Sequence, residues 1–347
     1  MTTEPSDSGS NPPMSSESAD LPQSSTQIPV EMAEMPFETR IMQQVFFGPA
    51  GLRSGWRLLL FVAGLLLFAA LAEIVLTLFF GRIPLVPSHA LSPAMLLRNE
   101  AGTLIGMSGG YLAVLLFCHQ SLREYFWIDT RWLRRVLVGI VAGFCALTIL
   151  LLSMEALHLA RIGRVPDATP RQSMALWLLL QGLFWAAGYV CVALFEEGVF
   201  RCFLLRTLLQ AFGKKLGETR SWWLAALLSS MIFGGVHWSN HGESLIGISS
   251  AAAIGFIFCC TIRWTGSVWW AVGFHACWDW AQSFVYGTPD SGMPPSSHWL
   301  TTSIFGPARW TGGATGPEGS LLILPLLVLV LFGTYAAYAR RGKSQPA

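Results

Sequence analysis

Charged residues are scarce in this chain of 347 residues, because Asp, Glu, Lys and Arg together make up only 12% of it. Soluble domains contain about 25% charged residues, so this composition argues against an ordinary soluble protein. The formal net charge of +2 lacks the basic excess of a nucleic-acid-binding protein, and we expect no nucleic-acid partner. Hydrophobic residues reach 53%, which is typical of a membrane protein.

Cysteine motifs and internal repeats are also absent. The seven cysteines lie inside or at the ends of apolar runs, and none form a CxxC pair. This pattern argues against a disulfide framework and against a thiolate zinc site. The lack of a visible internal repeat weakens the case for a transporter built from inverted repeats.

Apolar segments of about 20 residues, the length that spans a bilayer, recur along the chain. They lie at 57–80, 101–119, 136–157, 176–212, 222–239, 244–262, 267–286 and 320–339. The predicted fold class is therefore all-α, a polytopic membrane helix bundle with about eight transmembrane helices and a polar site among them. We expect a disordered tail at 1–45, a transmembrane domain at 46–339 with its motifs within 176–286, and a short basic tail at 340–347.

Lys and Arg are concentrated in the tails and loops on one side of this arrangement, the side that carries both termini. Positively charged loops stay in the cytoplasm. We therefore expect a multi-pass protein of the cell (plasma) membrane with cytoplasmic N- and C-termini.

Three of the predicted spans contain ionisable motifs. These are Glu196-Glu197-x-x-x-Arg201, Phe233-x-x-x-His237 and His275-x-x-x-Asp279. Ionisable residues at bilayer depth are costly and are candidates for function. The rise of an α-helix, about 1.5 Å per residue, puts the three motifs at comparable depth. A single intramembrane site follows as the prediction.

Spacing within each motif divides the roles. Glu197 and Arg201 are four residues apart, so they share a helix face and can form a structural ion pair. Glu196 is turned by about 100° from its neighbour and can act as a free carboxylate, a general base for water. His237 and His275 could polarise that water, bind a metal or stabilise an oxyanion.

The three motifs, in this order and on successive spans, resemble the CAAX protease and bacteriocin-processing family. This family contains the type II CAAX prenyl endopeptidases and is also labelled abortive-infection. The resemblance covers Leu176 to Tyr286. It implies a peptidase in which Glu196 activates the hydrolytic water with help from His237, His275 and Asp279 stabilise the oxyanion, and Glu197, Arg201 and Phe233 support the site.

Asp279 departs from the Asn that many prenyl-protease members have at this position. An ionised carboxylate cannot donate a hydrogen bond to an oxyanion. Asp279 is therefore protonated, or orients His275, or helps to bind a cation. The family is described both as glutamate-dependent and as metal-dependent, and Glu196, His237 and His275 would form a sensible zinc ligand set. We favour chemistry without a metal or other cofactor.

The leading functional hypothesis is an intramembrane endopeptidase that acts on a membrane-associated protein or peptide, including prenylated CAAX-type substrates. One alternative is a proton- or ion-coupled transporter that uses the same Glu, His and Asp side chains. Another alternative is a non-catalytic membrane scaffold.

Overall fold

The computed structural model describes residues 45–48, 51–81, 90–118, 122–126, 129–164 and 171–339. Within the range from Phe46 onward, these residues form one compact unit. The tails predicted at 1–45 and 340–347 lie outside the described residues, except for Val45.

The described chain is mostly helical, with two short two-stranded sheets in addition to the predicted helices. The α-helices are α1 (Ser54–Phe80), α2 (Pro93–Cys118), α3 (Leu122–Tyr125), α4 (Trp132–Ala156), α5 (Arg171–Glu197), α6 (Leu205–Leu216), α7 (Glu218–Val236), α8 (Leu245–Thr265), α9 (Trp269–Trp280), α10 (Ala308–Thr311) and α11 (Ile323–Thr334). Three π-helical segments (Gly198–Leu204, Ala281–Val285 and Tyr335–Ala339) and two 3₁₀ turns (His237–Ser239 and Pro317–Gly319) extend or connect them. The strands are β1 (Phe47–Gly48), β2 (Gly51–Leu52), β3 (Ala160–Arg164) and β4 (Leu300–Ile304).

Each of the eight predicted spans corresponds to helix in the structure. Five helices are long and apolar enough to cross a bilayer, namely Ser54–Phe80, Pro93–Cys118, Trp132–Ala156, Ala175–Gly213 and Leu245–Thr265. The protein is therefore an integral membrane protein. The helices at the other three positions are shorter or more polar, so a total of eight spans stays a prediction.

The helix that carries His275 is held against α4 by glycines. A Cβ atom added to Gly273 would lie 2.3 Å from the carbonyl oxygen of Val136, and one added to Gly139 would lie 2.2 Å from the carbonyl oxygen of Trp270. Only glycine permits backbones to approach this closely, as is common where membrane helices pack. This contact is at Gly273, two residues before His275, and it fixes the position of α9.

The first and third motifs lie on antiparallel helices. Along α5 and α9 with its π-helical extension Ala281–Val285, Gly182 lies near Phe284, Tyr189 hydrogen-bonds Ser283, and Glu197 contacts His275. Because the two helices run in opposite directions, Glu197 on α5 and His275 on α9 come to lie at the same depth. This packing brings the EExxxR and HxxxD motifs into contact.

The segment 287–319, the proline- and glycine-rich stretch between the last two predicted spans, is folded against the bundle. Its strand β4 pairs antiparallel with β3, from Ala160 opposite Ile304 to Arg164 opposite Leu300. Its backbone also bonds Leu91 before α2, through Leu91 N to Pro294 O (2.8 Å) and Ser296 N to Leu91 O (2.8 Å). This segment covers the end of the bundle opposite the α6–α7 connection.

Candidate active site

A cavity of about 330 Å³ lies among the helices at the covered end of the bundle. The four residues predicted to be catalytic, Glu196, His237, His275 and Asp279, all line it, as does Phe233 of the second motif. α2, α5, α7, α8, α9 and α11 contribute the walls together with the segment 287–319.

His275 occupies the centre of the polar cluster and is surrounded by three carboxylates. Its Nδ1 atom lies 3.0 Å from Oε1 of Glu197. Its Nε2 atom lies 3.4 Å from Oδ2 of Asp279 and 3.6 Å from Oε2 of Glu196. The Nδ1–H therefore donates to Glu197, and the other ring nitrogen faces the two cavity carboxylates.

Glu197 and Arg201 are completely buried, and Oε2 of Glu197 lies 3.3 Å from Nε of Arg201. The guanidinium carbon lies 3.9 Å from the centroid of the Phe233 ring and 5.5 Å from that of Phe258. These distances allow cation–π attraction, which is stronger where the cation is desolvated. Gly255 makes room for the guanidinium, because a Cβ atom there would lie 2.5 Å from Nη2 of Arg201.

His237 lies at the end of α7, in the first position of a 3₁₀ turn, whereas the sequence places it within a continuous span at 222–239. Its Nδ1 atom is 2.8 Å from the carbonyl oxygen of Phe233, one turn earlier. The carbonyl can only accept, so Nδ1 carries a proton, and in the neutral imidazole the lone pair is then on Nε2. The Phe233 ring packs edge-on against both histidines, with centroids 4.8 Å from His237 and 6.4 Å from His275.

The helix widens into π turns at Gly198–Leu204, which includes Arg201 of the first motif, and at Ala281–Val285, just after the third motif. π turns leave the regular ladder of backbone hydrogen bonds and occur often at functional sites. Side chains satisfy the carbonyls in the first of them. The Tyr111 hydroxyl donates to the Gly198 oxygen at 2.8 Å, and the Ser229 hydroxyl donates to the Phe200 oxygen at 2.7 Å.

Sequence reasoning missed several polar residues of the cavity. These are Glu100, Tyr189, Glu243, Asp290 and Glu318. None belongs to a motif, and two lie in a segment rich in proline and glycine that has the composition of a plain connector. The sequence Asp290-Ser291-Gly292 does carry a turn signal, but it gives no indication that the turn reaches the cavity.

The site fits a zinc ion poorly in this arrangement. Among the residues that the structure describes, no three His, Cys, Asp or Glu side chains are grouped as metal ligands are. A role for zinc at Glu196, His237 and His275 stays a prediction to be tested.

The fold and the site define a class: an integral membrane protein with an acid–histidine cluster enclosed among its helices. Residues 171–281 match the family model described as type II CAAX prenyl endopeptidase, Rce1-like. The match covers about a third of the chain and includes all three motifs. It confirms the family resemblance predicted from them. No match to a curated protein was found.

Proposed function

We propose that the protein is an intramembrane endopeptidase in which Glu196 activates the hydrolytic water. One observation carries this proposal. Oε2 of Glu196 is buried at the cavity wall and, within the described chain, has no hydrogen-bond partner, although Nε2 of His275 lies 3.6 Å away. A buried carboxylate oxygen with unused accepting capacity is suited to hold and deprotonate a water molecule.

The two histidines have different parts in this reaction. His237 presents a free Nε2 lone pair, so it accepts a hydrogen bond and helps to orient the water. His275 donates through Nδ1 to Glu197 and, when protonated, donates through Nε2 into the cavity. Such a donor stabilises the negative oxygen that forms as water adds to the peptide carbonyl.

Asp279 serves this scheme by holding His275. Its Oδ2 atom is 3.4 Å from Nε2 of His275, one helical turn away, and the two side chains share a face of α9. A neighbouring carboxylate favours the protonated imidazole. Of the roles open to Asp279, orienting and charging His275 has the most support from these contacts.

The substrate of this reaction is associated with the membrane. Ile254 of α8 and Leu326, Leu327 and Val330 of α11 line the same cavity as the polar cluster. Apolar walls beside a few convergent polar groups suit a substrate with an apolar side chain or a lipid anchor. The match to the CAAX prenyl endopeptidase family supports a lipid-modified C-terminal peptide as the first substrate to test. Transport has no comparable support.

We infer that the site lies in the half of the bilayer opposite the termini. His237 follows the last residue of α7, and the segment 287–319 covers the same end of the bundle. Arg263 and Glu218 pair at the other end of α7, on the side to which the Lys and Arg pattern assigns the cytoplasm. This placement puts the site in the non-cytoplasmic half of the bundle.

Cleavage of a panel of membrane-anchored peptides tests this function. Purified protein in lipid vesicles is incubated with farnesylated, acylated and transmembrane peptides in H₂¹⁸O, and products are identified by mass spectrometry. We expect one new C-terminal carboxylate that carries ¹⁸O from water. Absence of cleavage across the whole panel, by protein that remains folded, contradicts the proposal.

A further inference from the structure

Two carboxyl groups reach the cavity from beyond the part of the chain that matches the family. Asp290 and Glu318 line it together with Glu196 and His275, whereas the match ends at residue 281. Neither carboxyl has a role in the hydrolysis proposed above. Glu318 holds a turn in place, and Asp290 in that turn faces the reacting groups.

Asp290 begins a tight turn that ends at Met293. The two residues exchange backbone hydrogen bonds, N of Asp290 to O of Met293 at 3.1 Å and the reverse at 2.9 Å. The central residues Ser291 and Gly292 have φ angles of 50° and 81°. Glycine adopts this conformation freely, but a serine there costs about 1 kcal/mol. Such strain persists only where the surrounding structure fixes it.

Glu318 fixes the turn. Its Oε1 atom accepts a hydrogen bond from the backbone N–H of Ser291 at 2.9 Å. Its Oε2 atom accepts from Nε2 of Gln282 at 2.5 Å, and the same Nε2 donates to the Pro289 oxygen at 2.6 Å. Gln282 is completely buried. Both oxygens of Glu318 are thus engaged in holding the turn at Asp290 in place, and Gln282, which takes part, lies three residues after Asp279.

The Asp290 side chain faces the reacting groups. Glu196 and the Tyr189 hydroxyl face it from α5. The remaining charged neighbours are His237 after α7, His275 and Asp279 on α9, and Glu318 on its own segment. Burial, reinforced by Glu196, raises the pKa of Asp290 to about 6, although Tyr189 and the two histidines act in the opposite direction. A carboxyl of this kind exchanges a proton near neutral pH.

We infer that Asp290 is a further catalytic residue of the proposed hydrolysis, the general acid that protonates the leaving amine. This inference rests on the proposed function. Glu196 takes one proton from water as the water oxygen bonds to the peptide carbonyl carbon. The C–N bond then breaks, and its nitrogen takes the proton of the Asp290 carboxyl. The proton held by Glu196 passes through water to Asp290, and both groups return to their starting states.

Dependence on the leaving group tests this role. The same membrane-anchored sequence is prepared with a peptide bond and with an aryl ester at the scissile position, because an aryloxide leaves without being protonated. For Asp290→Asn we expect peptide hydrolysis to fall by about 10²- to 10⁴-fold, the usual contribution of a general acid, and ester hydrolysis to fall by less than about tenfold. Glu196→Gln should lose both. Equal losses by Asp290→Asn on the two substrates, or no loss on the peptide, overturn the inference.

Asp129→Asn is the matched control, since it makes the same chemical change at the other end of the bundle, where Asp129 pairs with Arg135 at 2.8 Å. It should hydrolyse both substrates at the wild-type rate.

The Asp290 carboxyl can also be followed without turnover, which separates this inference from the proposed function. Infrared difference spectra should show a protonated carboxyl that titrates near pH 6 in the wild type and is missing in Asp290→Asn. Identical spectra for the two proteins overturn the inference even if the wild type cleaves nothing.

Discussion

Glu197 holds His275: Oε1 of the glutamate lies 3.0 Å from Nδ1 of the imidazole, and the carboxylate is completely buried. The same carboxylate lies 3.3 Å from Arg201 through its other oxygen. Glu197 thus links a buried cation to the histidine of the site. The two adjacent glutamates are distinct in role, because Glu196 faces the cavity and Glu197 faces the protein interior.

Neutralising Glu197 should destabilise the fold. Glu197→Gln keeps an acceptor for His275 but leaves the guanidinium of Arg201 as a buried charge without a counter-charge. Breaking a buried pair in this way costs about 3–5 kcal/mol of unfolding free energy. Unfolding in detergent, followed by heat or denaturant, measures the change.

Glu218→Gln provides the control for this prediction. Glu218 also pairs with an arginine, Arg263, but its side chain is 82% exposed at the start of α7. Exposed ion pairs contribute about 0–1 kcal/mol, so this variant should unfold almost like the wild type. A Glu197→Gln protein as stable as Glu218→Gln would refute the bracing role of the Glu197–Arg201 pair.

Filling the space beside Arg201 should also lower the free energy of unfolding. In Gly255→Ala the new methyl group would lie 2.5 Å from the guanidinium, which must then shift away from Phe233. Overpacking of this kind costs about 1–3 kcal/mol. Gly213→Ala in α6 is the control, because a Cβ atom there meets nothing within 4 Å. Equal stability of the two alanine variants would show that the guanidinium position is not fixed by Gly255.

The helical fold and the clustering of the three motifs were predictable from sequence, because apolar run length and residue order depend only on local composition. The contact between Glu197 and His275 was not. Helical spacing shows that Glu197 shares a face with Arg201, but it does not show which residue of another helix meets that face. The sequence therefore gave Glu197 only a structural role, whereas the structure places it against His275 as well.

Asp290 was beyond sequence reasoning for a different reason. Its position depends on Glu318, which lies 28 residues later, and on Gln282 in the turn after α9. Long-range hydrogen bonds between irregular segments leave no periodic pattern in a sequence. The proline- and glycine-rich composition of 287–319 indicates turns, but it does not indicate that the turns fold back onto the bundle.

The raised pKa of Asp290 predicts how stability depends on pH. The ordinary value is 3.8 and the value in the folded protein is about 6, so between these the folded state binds more protons than the unfolded state. Stability therefore falls as pH rises from about 4 to about 6 and levels off above that range. In Asp290→Asn this part of the decrease should be absent. Melting curves of both proteins from pH 4 to pH 8 measure the difference, and parallel profiles would contradict it.

The predicted orientation can be tested at the two ends of α7. Trp238 is 68% exposed beside His237, and Glu218 begins the helix at the opposite end. In intact cells a membrane-impermeant maleimide should label Trp238→Cys and should not label Glu218→Cys until the cells are opened. Wild-type protein reports the background from the seven native thiols, which are all free. The reverse labelling pattern would place the site on the cytoplasmic side.

The central claim is that Glu196 is the general base, and a paired measurement of activity and stability on Glu196→Gln tests it most directly. The substitution keeps the size of the side chain and removes its basicity. We predict that peptide hydrolysis falls by at least about 10²-fold, while the melting temperature stays close to that of the wild type. Cleavage at the wild-type rate by the folded Glu196→Gln protein would contradict the account.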